Sequence, residues 1–181
     1  MNGAEALKAL YALQEKDLEI DRLRAEAESL PEELVALQGQ VETLEERLTN
    51  LLERRAELER EYNRHSLDIE DLSAKEKQAE EEQKRAQSAR EQTQYENRIQ
   101  QIKDRIRELL ELSTPIMEAM ENLEAEIAQV EEELAALRPR LQELLEANRA
   151  RVAELEAAIA AKVEERTAMA AAIPAQILKE Y

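Results

Sequence analysis

The chain has no cysteine, tryptophan or phenylalanine, and only two glycines, four prolines and one histidine in 181 residues. Without cysteine there is no disulfide, no thiol nucleophile and no thiolate zinc site, and the redox state of the compartment leaves no mark on the sequence. Four tyrosines are the only aromatic residues, so the large rings that normally fill a globular core are missing. No apolar run approaches the roughly 18 residues that cross a bilayer. The start, Met1-Asn2-Gly3-Ala4-Glu5, lacks the basic and apolar regions of a signal peptide. A cytoplasmic protein is the expectation. There is no glycine-rich phosphate loop, no Ser/His/Asp set and no histidine cluster, so no catalytic residues, no cofactor and no enzyme activity are expected.

Charge and small helix formers take the place of the missing groups. The chain carries 42 acidic and 25 basic residues, a net charge of −17, with 37% charged residues. This composition, rich in Ala, Leu and Gln, marks long helices or coiled coil. High charge and few aromatics also favour disorder, but regular apolar spacing opposes it. A charge of this sign repels phosphate and anionic lipid, so neither nucleic acid nor a membrane is expected as a partner of the coiled coil.

The pattern predicts an all-α fold: one elongated domain, a long antiparallel coiled-coil hairpin kinked near Pro31, Pro115 and Pro139. Residues 4–29 read as a first helix with Leu7, Leu10, Leu13, Ile20 and Leu23 on one side. Ser29-Leu30-Pro31-Glu32 restarts the helix, with Ser29 and Glu32 at capping-box spacing and Pro31 suited to a first turn. An outgoing arm follows over 31–87, about 85 Å long at about 1.5 Å per residue. Its seam runs from Leu30 and Leu34 through Leu58 and Leu72 to Ala86, in steps of four and three without a slip. Residues 83–95 contain no aliphatic residue larger than alanine, which places a tip at 88–94. The return arm, 95–172, repeats the seam from Ile99 to Leu141, with stutters near Leu141 and Ile159. Ile173-Pro174 ends it, and 175–181 reads as a short separate helix.

Folding the chain near residue 91 sets seam position 48 opposite 134, 62 opposite 120, and Arg55 and Glu76 opposite Ile127 and Ile106. In a parallel dimer Arg55 and Glu76 would instead meet their own copies and bury like charges. The hairpin lets both snorkel outward, which favours it. The expected oligomeric state is a monomer or weak dimer.

Between Lys75 and Arg107 nine basic residues meet seven acidic ones, leaving the tip region near +2 in a strongly acidic chain. Lys84, Arg85, Arg90 and Tyr95 are the candidate partner-binding residues of this tip, with intrahelical ion pairing as the plainer explanation for its charges. Residues 116–137 hold seven glutamates and no base, which suits either a solvated face or a surface for a basic partner. His65 falls on the seam, where a lone histidine packs more often than it ligates. Glu80–Glu82 and Glu131–Glu133 lie in acidic runs that read as solvated outer positions rather than metal sites.

Four stretches together resemble a bacterial family in which a coiled-coil hairpin precedes a four-cysteine zinc ribbon. They are 10–23 (LYALQEKDLEIDRL), 30–34 (LPEEL), 68–72 (DIEDL) and 173–181 (IPAQILKEY). At the tip this chain has Glu91-Gln92-Thr93-Gln94-Tyr95 and then Asn97-Arg98, keeping only the tyrosine of the family's usual pattern. The resemblance implies that a ribbon begins shortly after Tyr181. The chain is then expected to be a hairpin without its ribbon, with zinc only in that missing part. It further implies a non-enzymatic adaptor or scaffold for protein partners, in a family usually described as nucleic-acid-binding zinc-ribbon proteins. Some relatives resemble adaptors for an alternative sigma factor or for secretion and flagellar systems. Two other readings remain: a hairpin factor that enters the polymerase channel, which needs a pair of acids at the tip where Glu91 stands alone, and a purely structural spacer.

Overall fold

The computed structural model describes residues 2–181. The fold is all-α: α1 (Gly3–Glu28), α2 (Glu32–Lys84), α3 (Ala89–Ala171) and the short α4 (Ala175–Leu178). Contacts gather into two units, one formed by the described residues up to 41 together with 136–181 and the other by residues 42–135.

The second unit is an antiparallel pair of helices, residues 42–84 of α2 and 89–135 of α3. Leu58, Ala79, Ile99, Leu109, Ile116, Ile127, Val130 and Leu134 are buried between them. The seam positions that separate these residues are half-buried, so the expected heptad register is the one that forms. Burying each of the larger aliphatic side chains contributes about 1.5–3 kcal/mol, against which the ordering of the backbone must be set. The charged seam residues stay half-buried and carry their charged ends to the flank of the seam. The Arg55 guanidinium reaches Glu124 at 3.1 Å, and Lys103 reaches Glu76 at 3.8 Å, each one turn from the isoleucine expected opposite.

The helix α3 runs without a break through Pro115 and Pro139. Proline removes one backbone donor and crowds the carbonyl four residues earlier, at a cost of about 3 kcal/mol. At Pro115 the preceding residues bond back along the helix, Ser113 Oγ to the Leu109 carbonyl at 2.8 Å and Thr114 Oγ1 to that of Leu110 at 3.2 Å. Those bonds satisfy the hydroxyl of Ser113, which is buried at a seam position. Flanking apolar layers, Leu109 and Ile116, are both buried and hold the helix across the proline.

In the first unit α1 buries Ala6, Leu13 and Ile20, the outgoing helix contributes Leu34, Leu37 and Val41, and Ile173 closes the set. Leu7 departs from expectation: it is 58% exposed, while Ala6 is buried. Ala6, Leu13 and Ile20 lie seven residues apart on one line, and Leu7 is a further 100° around the helix. The helix start is fixed by Asn2, whose Oδ1 accepts the Glu5 N–H at 2.8 Å while Glu5 Oε2 accepts the Asn2 N–H at 3.3 Å.

The break expected at 29–31 is present, but its capping differs from the expected box. Ser29 ends α1, donating its N–H to the Ala25 carbonyl at 3.1 Å, and α2 begins after Pro31. Leu30, expected as the first seam residue, is exposed because it lies in this break. The carbonyls left open at the end of α1 are taken by a side chain of α3. Arg151 Nη1 donates to the Glu26 carbonyl at 2.9 Å and Nη2 to that of Ser29 at 2.6 Å. Asn148 Oδ1 accepts from the same guanidinium and fixes its orientation.

Candidate functional site

The chain reverses over Arg85–Ser88, and α3 is already helical at Ala89. The expected tip, 88–94, therefore meets the observed turn only at Ser88. Loss of large aliphatic residues ends the seam, but Arg, Glu, Gln and Ala remain good helix formers and continue the helix without it. Local bonds hold the turn. Ser88 Oγ accepts the Glu91 N–H at 3.1 Å, Glu91 Oε2 accepts the Gln87 N–H at 3.2 Å, and Gln83 Nε2 donates to the Gln92 carbonyl at 3.3 Å.

Three of the four candidate residues gather here. Lys84 is the last residue of α2, Arg85 lies in the turn, and Arg90 is the second residue of α3. All three are exposed, and among the described residues none has an ion-pair partner. An open groove of about 440 Å³ beside them is lined by Glu80, Gln83, Lys84 and Gln92. Tyr95 is different. It is half-buried on the seam, and desolvation, followed by the Glu82 carboxylate, holds its phenol above the ordinary value. Tyr95 packs the last layer before the turn, and the three cations face solvent.

The second unit also carries an apolar groove that no single motif announced. Tyr62, Met117 and Met120 line it, Glu121 and Glu124 form its rim, and its volume is about 220 Å³. Its signal was the pairing of seam positions 62 and 120, with Met117 one turn before Met120. Thioethers fill irregular space and adapt to different shapes. The glutamate-rich stretch 116–137 supplies the rim, so the acidic face and the groove coincide.

Other candidates are simpler. His65 is half-buried on the seam, with Nδ1 enclosed and without a hydrogen-bond partner. No group of three His, Asp or Glu side chains among the described residues converges as a metal site, the glutamate runs included. Glu91, the lone acid of the turn, has one carboxylate oxygen engaged with the Gln87 N–H.

Residues 13–181 match the CT398-like coiled coil hairpin domain family. Among solved structures the chain is similar to one from Mycobacterium smegmatis, at 24% identity and a TM-score of 0.76, covering 97% of this chain and 74% of that one. It is also similar to the HP0958 protein from Helicobacter pylori, at 16% identity and a TM-score of 0.70, covering 100% of this chain and 76% of that one. At these identities the likeness is one of fold. No curated protein matches the sequence.

Proposed function

This chain belongs to the CT398-like coiled coil hairpin domain family, and from that premise we propose that it is a non-enzymatic adaptor whose turn docks a protein partner. The observation that carries this reading is the placement of Lys84, Arg85 and Arg90, three exposed cations without ion-pair partners among the described residues, on and beside one short turn of an acidic chain. Lys84 and Arg85 suit the negative end of α2, whereas Arg90 opposes the positive end of α3 at a cost of about 0.3–1 kcal/mol. A cation kept at the unfavourable helix end is explained by an anionic group on a partner. Tyr95 supports the turn from within.

The partner is an acidic protein surface; the sigma-factor, secretion and flagellar links rest on the family resemblance alone, as does a zinc ribbon outside this sequence. Nucleic acid is not the partner of this coil. Titration of labelled RNA and duplex DNA at about 150 mM salt, where charges are screened beyond about 8 Å, is expected to give no micromolar complex, and one that forms overturns this reading.

A second reading has its own support. The Tyr62, Met117 and Met120 groove with its carboxylate rim suits a basic amphipathic segment, so a flank can hold one partner while the turn holds another. Site-specific photo-crosslinking in the native cell separates the two. A crosslinker at Arg85 is expected to capture a protein, and the adduct disappears with Lys84→Glu and Arg90→Glu; one at the control position Arg60 captures nothing. Capture at Met117 alone overturns the turn as the docking point and leaves the groove.

A further inference from the structure

The outer face of α1 carries a second apolar line. Leu7, Tyr11 and Leu18 are 58%, 63% and 51% exposed. At 100° per residue they fall within about 40° of one another and about 140° from the buried Ala6, Leu13 and Ile20. With Ala4 before them, Gln14 between them and Asp21 and Ala25 after, they follow alternating steps of three and four, and all are exposed; Asp21, the one charge on the line, marks its polar end. Single exposed apolar residues are ordinary on protein surfaces. A heptad-spaced line of them is the seam of a helix pair that lacks its other half.

We propose that the other half is α1 of a second copy, paired antiparallel about a twofold axis between residues 12 and 13. This register sets Leu7 against Leu18 of the second copy and Tyr11 against Gln14 of the second copy, each layer repeated by symmetry. The flanking charges choose the direction. Lys8 and Glu15 are exposed and have no ion-pair partner among the described residues. Antiparallel pairing brings Lys8 beside Glu15 of the second copy, twice. A parallel pair would set Lys8 against Gly3 and Glu15 against Leu10, leaving both charges unmatched. A charge of −17 on each chain and a short apolar line oppose tight binding. The interface falls short of the roughly 800 Å² per partner of a standard complex, so association lies in about the 10–1000 µM range.

Sedimentation equilibrium of the whole chain across that concentration range tests the pairing. A monomer–dimer equilibrium is expected, tightening as salt screens the net repulsion. Leu18→Glu weakens it by about tenfold or more with unchanged helicity and melting temperature, because the side chain is exposed in the monomer. Lys8→Glu weakens it by about threefold, and adding Glu15→Lys restores it. A monomer at every concentration, or a dimer that ignores Leu18→Glu, overturns the pairing. A dimer that loses affinity with Leu18→Glu but gains nothing from the charge swap overturns the antiparallel register.

Discussion

The two units hold their helices together differently. In the second, the two arms meet along an apolar seam, and its cross-helix ion pairs, Arg55–Glu124 and Glu76–Lys103, run from half-buried seam residues to exposed partners on the flank. In the first, α1 is short and adds polar clamps to its buried residues. Lys16 meets Glu165 at 2.7 Å, Arg166 meets Asp17 at 2.9 Å, Lys162 meets Glu19 at 3.3 Å, and the Tyr181 hydroxyl donates to Asp17 at 2.6 Å. A long helix gathers its stabilisation from many layers, so no single polar contact has to position it. A helix of 26 residues has few layers, and its angle and register depend more on contacts with fixed geometry.

The largest test of this contrast removes a seam layer. Leu134 is fully buried in the second unit, and Leu134→Ala should cost about 2–5 kcal/mol in denaturant unfolding through lost burial and the cavity left behind. Arg55→Met should cost less than about 1 kcal/mol, since the ion pair with Glu124 opens to solvent and methionine keeps the half-buried stem on the seam. Equal costs would show that ion pairs share the work of the seam and erase the difference between the units.

Arg151 is the matching test of the first unit. Its guanidinium closes the Glu26 and Ser29 carbonyls at the end of α1. Arg151→Met keeps much of the side-chain volume and hands both exposed carbonyls to water, at a cost of about 0.5–1.5 kcal/mol. Amide exchange should accelerate through the last turns of α1 and leave residues 99–130 protected. A uniform loss of protection would mean that α1 is not held independently of the seam.

The clamp at Asp17 predicts a pH response. The Tyr181 hydroxyl first, and Arg166 after it, hold the Asp17 carboxyl below its ordinary value of 3.8. Because the folded value is depressed, the stabilisation is fully present above about pH 4 and is lost as pH falls through the folded value. Tyr181 shifts the other way, raised above 10.0 by its bond to Asp17 and by desolvation. Its contribution is present below pH 10 and is lost as pH rises through the folded value. Tyr181 ring resonances should therefore report release of the C-terminal residues at both extremes. Asp17→Asn should remove the acid-side release and leave the seam of residues 42–135 unaffected.

How much of this was legible follows from the period of each contact. From Leu34 to Ala86 and from Tyr95 to Val163 the expected seam residues are all buried or half-buried, because one repeated spacing specifies the whole line. The groove at Tyr62 and Met120 was half-visible, as a facing pair whose shape only side-chain packing reveals. Arg151 left no trace in the sequence, since an arginine that caps a distant helix looks like any solvated charge. The turn fell before the expected tip because aliphatic spacing reports where packing stops, and helix formers carry the backbone further. On α1, two apolar lines compete for the core, and the choice of Leu7 over Ala6 followed size where geometry followed the Ala6, Leu13 and Ile20 line.

The smallest predicted effects separate docking from folding at the turn. Lys84 lies at the carbonyl end of α2, so Lys84→Glu should destabilise by about 0.3–1 kcal/mol. Arg90 lies in the first turn of α3, where backbone N–H groups already concentrate positive charge. Arg90→Glu should therefore stabilise the hairpin by a similar 0.3–1 kcal/mol, despite making the net charge more negative. Both substitutions should weaken capture of the partner at Arg85. Thermal melts at low and high salt give the sign, since the helix-end effect fades as screening grows. If Arg90→Glu lowers stability, Arg90 holds the turn together and its exposure owes nothing to a partner. If it raises stability while capture is lost, the cation is kept against the interest of the fold, and binding is the reason it is there.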